Sequence, residues 1–414
     1  MSAIRKSLLQ LIFSGSFMKR WNDKLRPMEL IEVDKQAHKM IVAWILFELN
    51  TREMTFEDRL RVGERIVEGG VFEYLYRLVI TDIKPPVFYQ IKANPAHYRQ
   101  LTDWVLDQLK PRVDCLGGAF WERLRHWLDH PEEGDLARRI LDAAHSYASR
   151  WEFHLITHVQ NYDDELEEIE ESFRGQLETH RDLAGIPELL QGTGSHLGRL
   201  AHLSGQLRFQ KRWSQTPRVP ETSVLGHMFV VACFSYFFSL AVGACRARAQ
   251  NNFFAGLVHD LPELLTRDII SPVKRSVARI GDLIREYELK ELERRVFAPL
   301  EKGGYAQLAE RLSYFLGLNV GSEFVSTVIL EGLIREVNWD QLQTTYNQDC
   351  FDPKDGKLLK VCDSLAAFME AYTSLRNGIS SDQLQQALWR IRTEYQQASL
   401  GDRVHIGALL ADFD

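Results

Sequence analysis

The sequence predicts an all-α protein built from two similar helical halves. Three observations carry that reading. Apolar residues recur at three- and four-residue spacing, with charges between, in RRILDAAHSYASRWEFHLITHV, REYELKELERRVFAPL and DQLQQALWRIRTEYQQ, whereas strand-like alternation is scarce. The 13 Pro and 26 Gly fall largely at segment ends, as in KPPVF, GTGSHLG and PRVPETS. Residues 70–88 (GVFEYLYRLVITDIKPPVF) align without gaps on 256–274 (GLVHDLPELLTRDIISPVK), with seven identities.

Taken in order, the elements repeat. The opening MSAIRKSLLQLIFSGSFMKRW joins a basic pair to a short apolar run, but Phe17-Met18-Lys19 offers no small-residue cleavage site, so no secretory signal is expected. Lys19-Arg20-Trp21 matches Lys211-Arg212-Trp213, and His38 follows the first Trp at nearly the interval that separates His227 from the second. The run Met40 to Phe47 is too short to span a membrane. Its counterpart, Met228 to Cys245, carries no charge from end to end and touches the spanning threshold. A helix apolar all round also suits the centre of a large helical core, and that is the expectation here. Asp142 (RRILDAAHSY) occupies the place of Asp363 (LKVCDSLAAF), and the acidic stretch at 163–172 with the Gly-rich run after it reads as a connecting helix and linker. The expected division is 1–160, a connection at 161–195, and 196–414, in keeping with about 150–200 residues per domain.

Composition narrows the class. Apolar content of 45% with 26% charged residues is that of a soluble globular chain. A net charge of −7 argues against a general nucleic-acid partner, since phosphate backbones demand a basic surface. Five cysteines without CxxC spacing read as reduced thiols of a cytoplasmic protein with no zinc knuckle, and no membrane partner is expected.

The chemistry concentrates in the second half. His227, His259, Asp260 and Asp363 supply two imidazoles and two carboxylates for one divalent metal, and three of the four lie in apolar helical surroundings. An unpaired charge there costs several kcal/mol, roughly, and a shared cation removes that cost. Each residue alone has a plainer reading: a buried His is usually a satisfied core residue, and Asp363 could cap or pair with a base. Pro262, lacking an N–H, requires the helix to stop or bend just after the His-Asp pair.

The order His227, His259-Asp260, Asp363 resembles the H…HD…D pattern of the HD-domain metal-dependent phosphohydrolase superfamily. With Arg212-Trp213 upstream, Glu263 in HDxxE, Asp268 and Pro272-Val273-Lys274, it is most similar to the bacterial 5′-deoxynucleotidase branch. The resemblance implies two tandem HD-type helical domains, the first a degenerate copy. It implies a divalent ion (Mn, Co, Ni, Zn, Fe or Mg) that polarises the phosphate and brings a bound water toward a pKa of about 7. By the same resemblance Glu263 is the general acid/base, Asp268 holds a sugar hydroxyl or the water's partner, and Arg212 and Lys274 hold phosphate oxygens. Trp213 walls the sugar pocket or is a plain core aromatic. No His lies between His259 and His405, which favours one metal and hydrolysis over oxygen chemistry or triphosphohydrolase activity.

In the first half Glu73-Tyr74 stands where His259-Asp260 stands, Arg77 replaces Glu263 and Phe88 replaces Lys274. His38, Glu73 and Asp142 leave a weak metal site open, but the reversed charge at Arg77 removes hydrolysis by the same route. Arg20, Arg77 and Asp82 leave nucleotide binding open as well. The expected activity is a phosphomonoesterase acting on (deoxy)nucleoside 5′-monophosphates. A nucleotide-sensing protein with a structural metal and a phosphodiesterase for a signalling nucleotide are the rivals, and homo-oligomer formation stays open.

Overall fold

A computed structural model describes residues 4–131, 133–160, 164–266 and 278–414. Helices dominate. Strands among the described residues are confined to three short antiparallel pairs: β1 (Lys19–Arg20) with β2 (Leu30–Ile31), β3 (Thr327–Leu330) with β4 (Leu333–Glu336), and β5 (Ser399–Leu400) with β6 (Val404–His405). The all-α expectation therefore holds. The helices that build the interior are α1 (Lys6–Ser14), α2 (Glu32–Asn50), α3 (Phe56–Ile80), α4 (Leu136–Thr157), α5 (Val224–Ala241), α6 (Arg246–Val258) and α7 (Gly356–Arg376).

Four of these helices start at a side-chain cap that satisfies an orphan backbone N–H. Thr55 accepts from Asp58 at α3, Asp135 from Arg138 at α4, Ser223 from Gly226 at α5, and Asp355 from Leu358 at α7. The apolar helix α5 packs against α2, α6 and α7, and α2 in turn against α4. It is the one helix among the described residues long and apolar enough to cross a membrane, and 89% of it is buried inside the protein. That burial matches the expectation of a central core helix.

Buried side chains from Ile4 to Phe413 join in one contiguous apolar cluster that crosses from the first half to the second. The connecting stretch is part of its wall. The acidic helix Leu166–Glu178 lies against α4 with Leu177 buried. The helix His196–Gln206 packs on α2, where the His38 ring meets the Ala201 carbonyl at 2.9 Å through Nε2. All five cysteines are free.

A candidate metal centre

Two helices place the imidazoles. His227 lies one turn into α5, behind the Ser223 cap, and the Ser223 hydroxyl also donates to Asp34 Oδ1 at 2.5 Å. His259 follows directly on α6. Gly256 lets α5 and α6 meet closely, because a Cβ there would lie 3.1 Å from the Ala232 backbone. The two rings are consequently 5.5 Å apart, centroid to centroid. Helix α6 is tied to the start of α7 by the buried Arg248–Asp355 pair at 2.6 Å and by the Asp355 N–H on Asn252 Oδ1 at 2.8 Å. That tie fixes the register in which α7 presents Asp363. The chain leaves α6 at Val258 and begins a short helix at Glu263, so Pro262 does separate two helical segments.

The four predicted ligands converge. His227 Nε2 lies 3.2 Å from Asp363 Oδ1 and 3.9 Å from Asp260 Oδ2, and His259 Nε2 lies 3.3 Å from Asp260 Oδ2. His227, His259 and Asp363 offer ligand atoms all within 4.8 Å of one another. The His259 Nδ1 faces the Gly256 carbonyl at 2.8 Å. A carbonyl can only accept, so Nδ1 carries a proton in either form of the ring; Nε2, turned to the carboxylates, holds a second proton in the cationic form and offers its lone pair to a metal ion in the neutral one. That Nε2 is buried without a hydrogen-bond partner among the described residues. An orphaned imidazole nitrogen beside two carboxylates fits a divalent ion well.

The electrostatics point the same way. Burial disfavours the charged form of His259, yet Asp260 and Asp363 outweigh it and push the imidazole up to about 9. Burial alone would raise Asp260 and Asp363. His259 and Arg212 instead hold Asp260 low, and Asp363 is held well below the carboxylate range by its hydrogen bond with His227 and by the charge of Lys360. Lys360 reaches Asp363 Oδ2 at 2.9 Å. The pocket demands positive charge.

Around this centre lies a shell that sequence reasoning read only in part. Arg212 sits 3.3 Å from Asp260 and 3.3 Å from Glu370, and the Trp213 indole N–H donates to Glu370 Oε2 at 2.8 Å. Both residues thus brace the carboxylates, beside the substrate-facing roles expected of them. Glu370 was missed. It is buried, accepts from Thr222 Oγ1 at 2.7 Å and faces His227 Nδ1 at 3.6 Å. Its signal was its position two turns after Asp363 on one helix. Burial alone would raise it, but Arg212 and Arg218 hold it well below the usual range. Glu263 is nearly buried, one turn past His259, with its N–H on the Asp260 carbonyl at 3.0 Å. Phe324 packs 6.3 Å from the His259 ring. Asp268 and Lys274 lie outside the described residues.

In the first half the same shell surrounds a different centre. The Trp21 indole N–H donates to Glu152 Oε2 at 3.1 Å, and Arg20 pairs with Glu152 at 2.8 Å and Glu32 at 2.9 Å. Trp21 and Trp213 share a left-handed backbone, φ 57° and 55°. His38, Glu73 and Asp142 do not form a metal-donor group among the described residues. His38 turns to Ala201 and the face of Trp151, and burial drives it down to about 3. Glu73 pairs with the Lys39 ammonium, the Tyr74 hydroxyl donates to the Ile12 carbonyl at 2.6 Å, and Arg77 meets Glu32 at 3.3 Å and Asp82 at 3.5 Å. A second donor group, His126, His130 and Glu133, lies at the surface, where Glu133 also pairs with Arg65 at 3.3 Å.

A family model described as an HD domain matches residues 204–392, a range that includes His227, His259, Asp260 and Asp363. Neither a search of curated proteins nor one of solved structures finds a match. Residues 204–392 are thus similar to the HD domain, a family whose members are generally metal-dependent hydrolases.

Proposed function

We propose that the protein is a phosphomonoesterase acting on nucleoside 5′-monophosphates, deoxy forms foremost, through the centre at His227, His259, Asp260 and Asp363. The observation that carries this is the convergence of those four side chains with an orphaned His259 Nε2 between them. A divalent ion held there supplies Lewis-acid polarisation and a nucleophile at neutral pH. The chain's own residues do the rest. Glu263, one turn from His259, handles the proton. Arg212, fixed by Glu370 and Asp260, offers its guanidinium edge to phosphate oxygens. Trp213 flanks it as the selector against a ribose 2′-hydroxyl. Asp268 and Lys274 complete the sugar and phosphate contacts in this reading.

We also infer that the first half is a degenerate copy, with the connection at about 161–195 between the two. The constant offset that carries Trp21 onto Trp213 also maps several backbone contacts onto each other. Glu32 N–H to Met18 O falls on Val224 N–H to Gln210 O, both 2.9 Å, and Lys24 N–H to Trp21 O (3.1 Å) falls on Thr216 N–H to Trp213 O (2.8 Å). The same offset carries Met40 onto Ala232, and the gapless alignment of 70–88 on 256–274 carries Gly70 onto Gly256, so the Gly70–Met40 contact corresponds to Gly256–Ala232.

The test is phosphate release from a panel of ribo- and deoxynucleoside 5′-monophosphates after chelator stripping and addition of Mn²⁺, Co²⁺ or Mg²⁺. Metal-dependent release with deoxy preference, lost in Glu263→Gln, is the expected result. Silence from protein that holds metal sinks the monoesterase reading and shifts the weight to a diester substrate or a sensor.

A further inference from the structure

The Trp21-to-Trp213 correspondence, which rests on the duplication inferred above, changes the partners in the first half. It sets Lys35, not His38, at the place of His227, because Lys35 follows Trp21 at the same interval as His227 follows Trp213. Pairing Glu152 with Glu370, the two carboxylates that receive the Trp indoles, sets His145 rather than Asp142 at the place of Asp363, each two turns earlier on its helix. Contacts support this register. Lys35 Nζ lies 2.6 Å from His145 Nδ1, mirroring the His227–Asp363 contact of 3.2 Å. Of the four ligand positions, the first half then holds Lys35, Glu73, Tyr74 and His145. Lys39, one turn beyond Lys35 and fully buried, is bonded to Glu73. Asp142, whose carboxyl burial and Glu73 raise to about 6, is drawn down by the same Lys39.

We propose that the Lys39 ammonium is a built-in cation occupying the seat of the divalent ion in the first half, so that this half takes no metal and the chain binds one. Three facts combine. The imidazole that would ligate is replaced by the Lys35 amine, which burial and the nearby Arg20 push well below the usual lysine range. The carboxylate that would ligate is replaced by His145, already engaged with that amine. The one anionic side chain left among the four positions, Glu73, has its charge balanced by Lys39. Glu73 is half-buried and bonded to the fully buried Lys39, so the chain itself provides the cation, and a second one would meet Arg20, Arg77 and Lys39.

Two measurements test this. The first is metal content after stripping and reloading the full-length protein with Mn²⁺, for wild type and His259→Ala. One ion per chain in wild type and none in His259→Ala is expected. Two ions in wild type, or one retained in His259→Ala, overturns the proposal. No metal in either protein would overturn the function proposed for the second half and the count of one ion per chain, and the place of Lys39 in the seat is then decided by the second measurement alone, so the two readings fail separately. The second is a double-mutant cycle on melting temperature with Lys39→Met and Glu73→Gln. Lys39→Met should lower Tm by several degrees and Glu73→Gln should restore most of that loss. Equal, additive losses would show that Lys39 does not serve as the counter-cation of Glu73, and would overturn its role in the seat.

Discussion

Set side by side, the two polar centres of this protein share their surround and differ in what they enclose. Each has a Trp in left-handed backbone whose indole donates to a buried Glu, and an Arg gripping that Glu. Inside, the second half places two imidazoles and two carboxylates, while the first places a lysine against a histidine and a glutamate against another lysine. The Arg–Trp–Glu unit recurs in both halves, so what separates the two centres is the set of residues it encircles.

The sharpest way to break that contrast is to remove equivalent residues. Asp363→Ala should abolish metal binding and lower metal-dependent phosphate release at least about a thousandfold, whereas His145→Ala should leave both unchanged; elemental analysis and a phosphate assay decide. Next in size is the acid/base position. Glu263→Gln should keep its metal and lose about a hundredfold or more in kcat, while Arg77→Gln should leave kcat as it is. If both variants lose activity alike, the halves are not divided as described.

The remaining expectations concern stability. Glu152 balances Arg20 and Arg208 with no exposure to water, the latter at 2.7 Å. Glu152→Ala strands two guanidinium groups and should cost about 3–5 kcal/mol by denaturant titration, with metal content per folded chain unaltered. Asp34 offers a pH-dependent case. Burial pushes its carboxyl up to about 6, although Arg208 and the Ser223 hydroxyl pull the other way. A folded-state pKa above the unfolded value near 3.9 means that stability falls as pH rises from about 4 to about 6, with the full cost present above about 6 and none below about 4. Asp34→Asn should accordingly gain about 1–3 kcal/mol at pH 8 and none at pH 4. Smallest is Trp21→Phe, which removes one indole donor to Glu152 and should cost about 1–2 kcal/mol without touching turnover.

Much of this was legible in the sequence. Helical periodicity gave the architecture because packing of amphipathic faces leaves a three- to four-residue imprint. The H…HD…D order found the residues that meet around His259, since a metal constrains residue type more tightly than packing does. The first half was harder. His38 matched by residue type, whereas the register proposed above sets Lys35 in that place, with spacing from Trp21 as the cue. Type matching favours a familiar ligand, and a degenerate site is one from which familiar ligands are gone. Glu370 escaped because a carboxylate in a helix reads as surface until its partners, Arg212, Trp213 and Thr222, are seen converging from another segment.

The shared core has a consequence for what can be taken away. Helix α5 is apolar on every face and is covered by α2 on one side and by α6 and α7 on the others. A shortened gene beginning near residue 196 would encode a catalytic half with α5 bared to water along the flank that α2 now shields, and with the Ser223 cap deprived of Asp34. Such a product should aggregate or pair with itself to cover that flank. The first half thus acts as a permanently attached subunit that covers α5, and this contact constrains its shape whatever chemistry it carries.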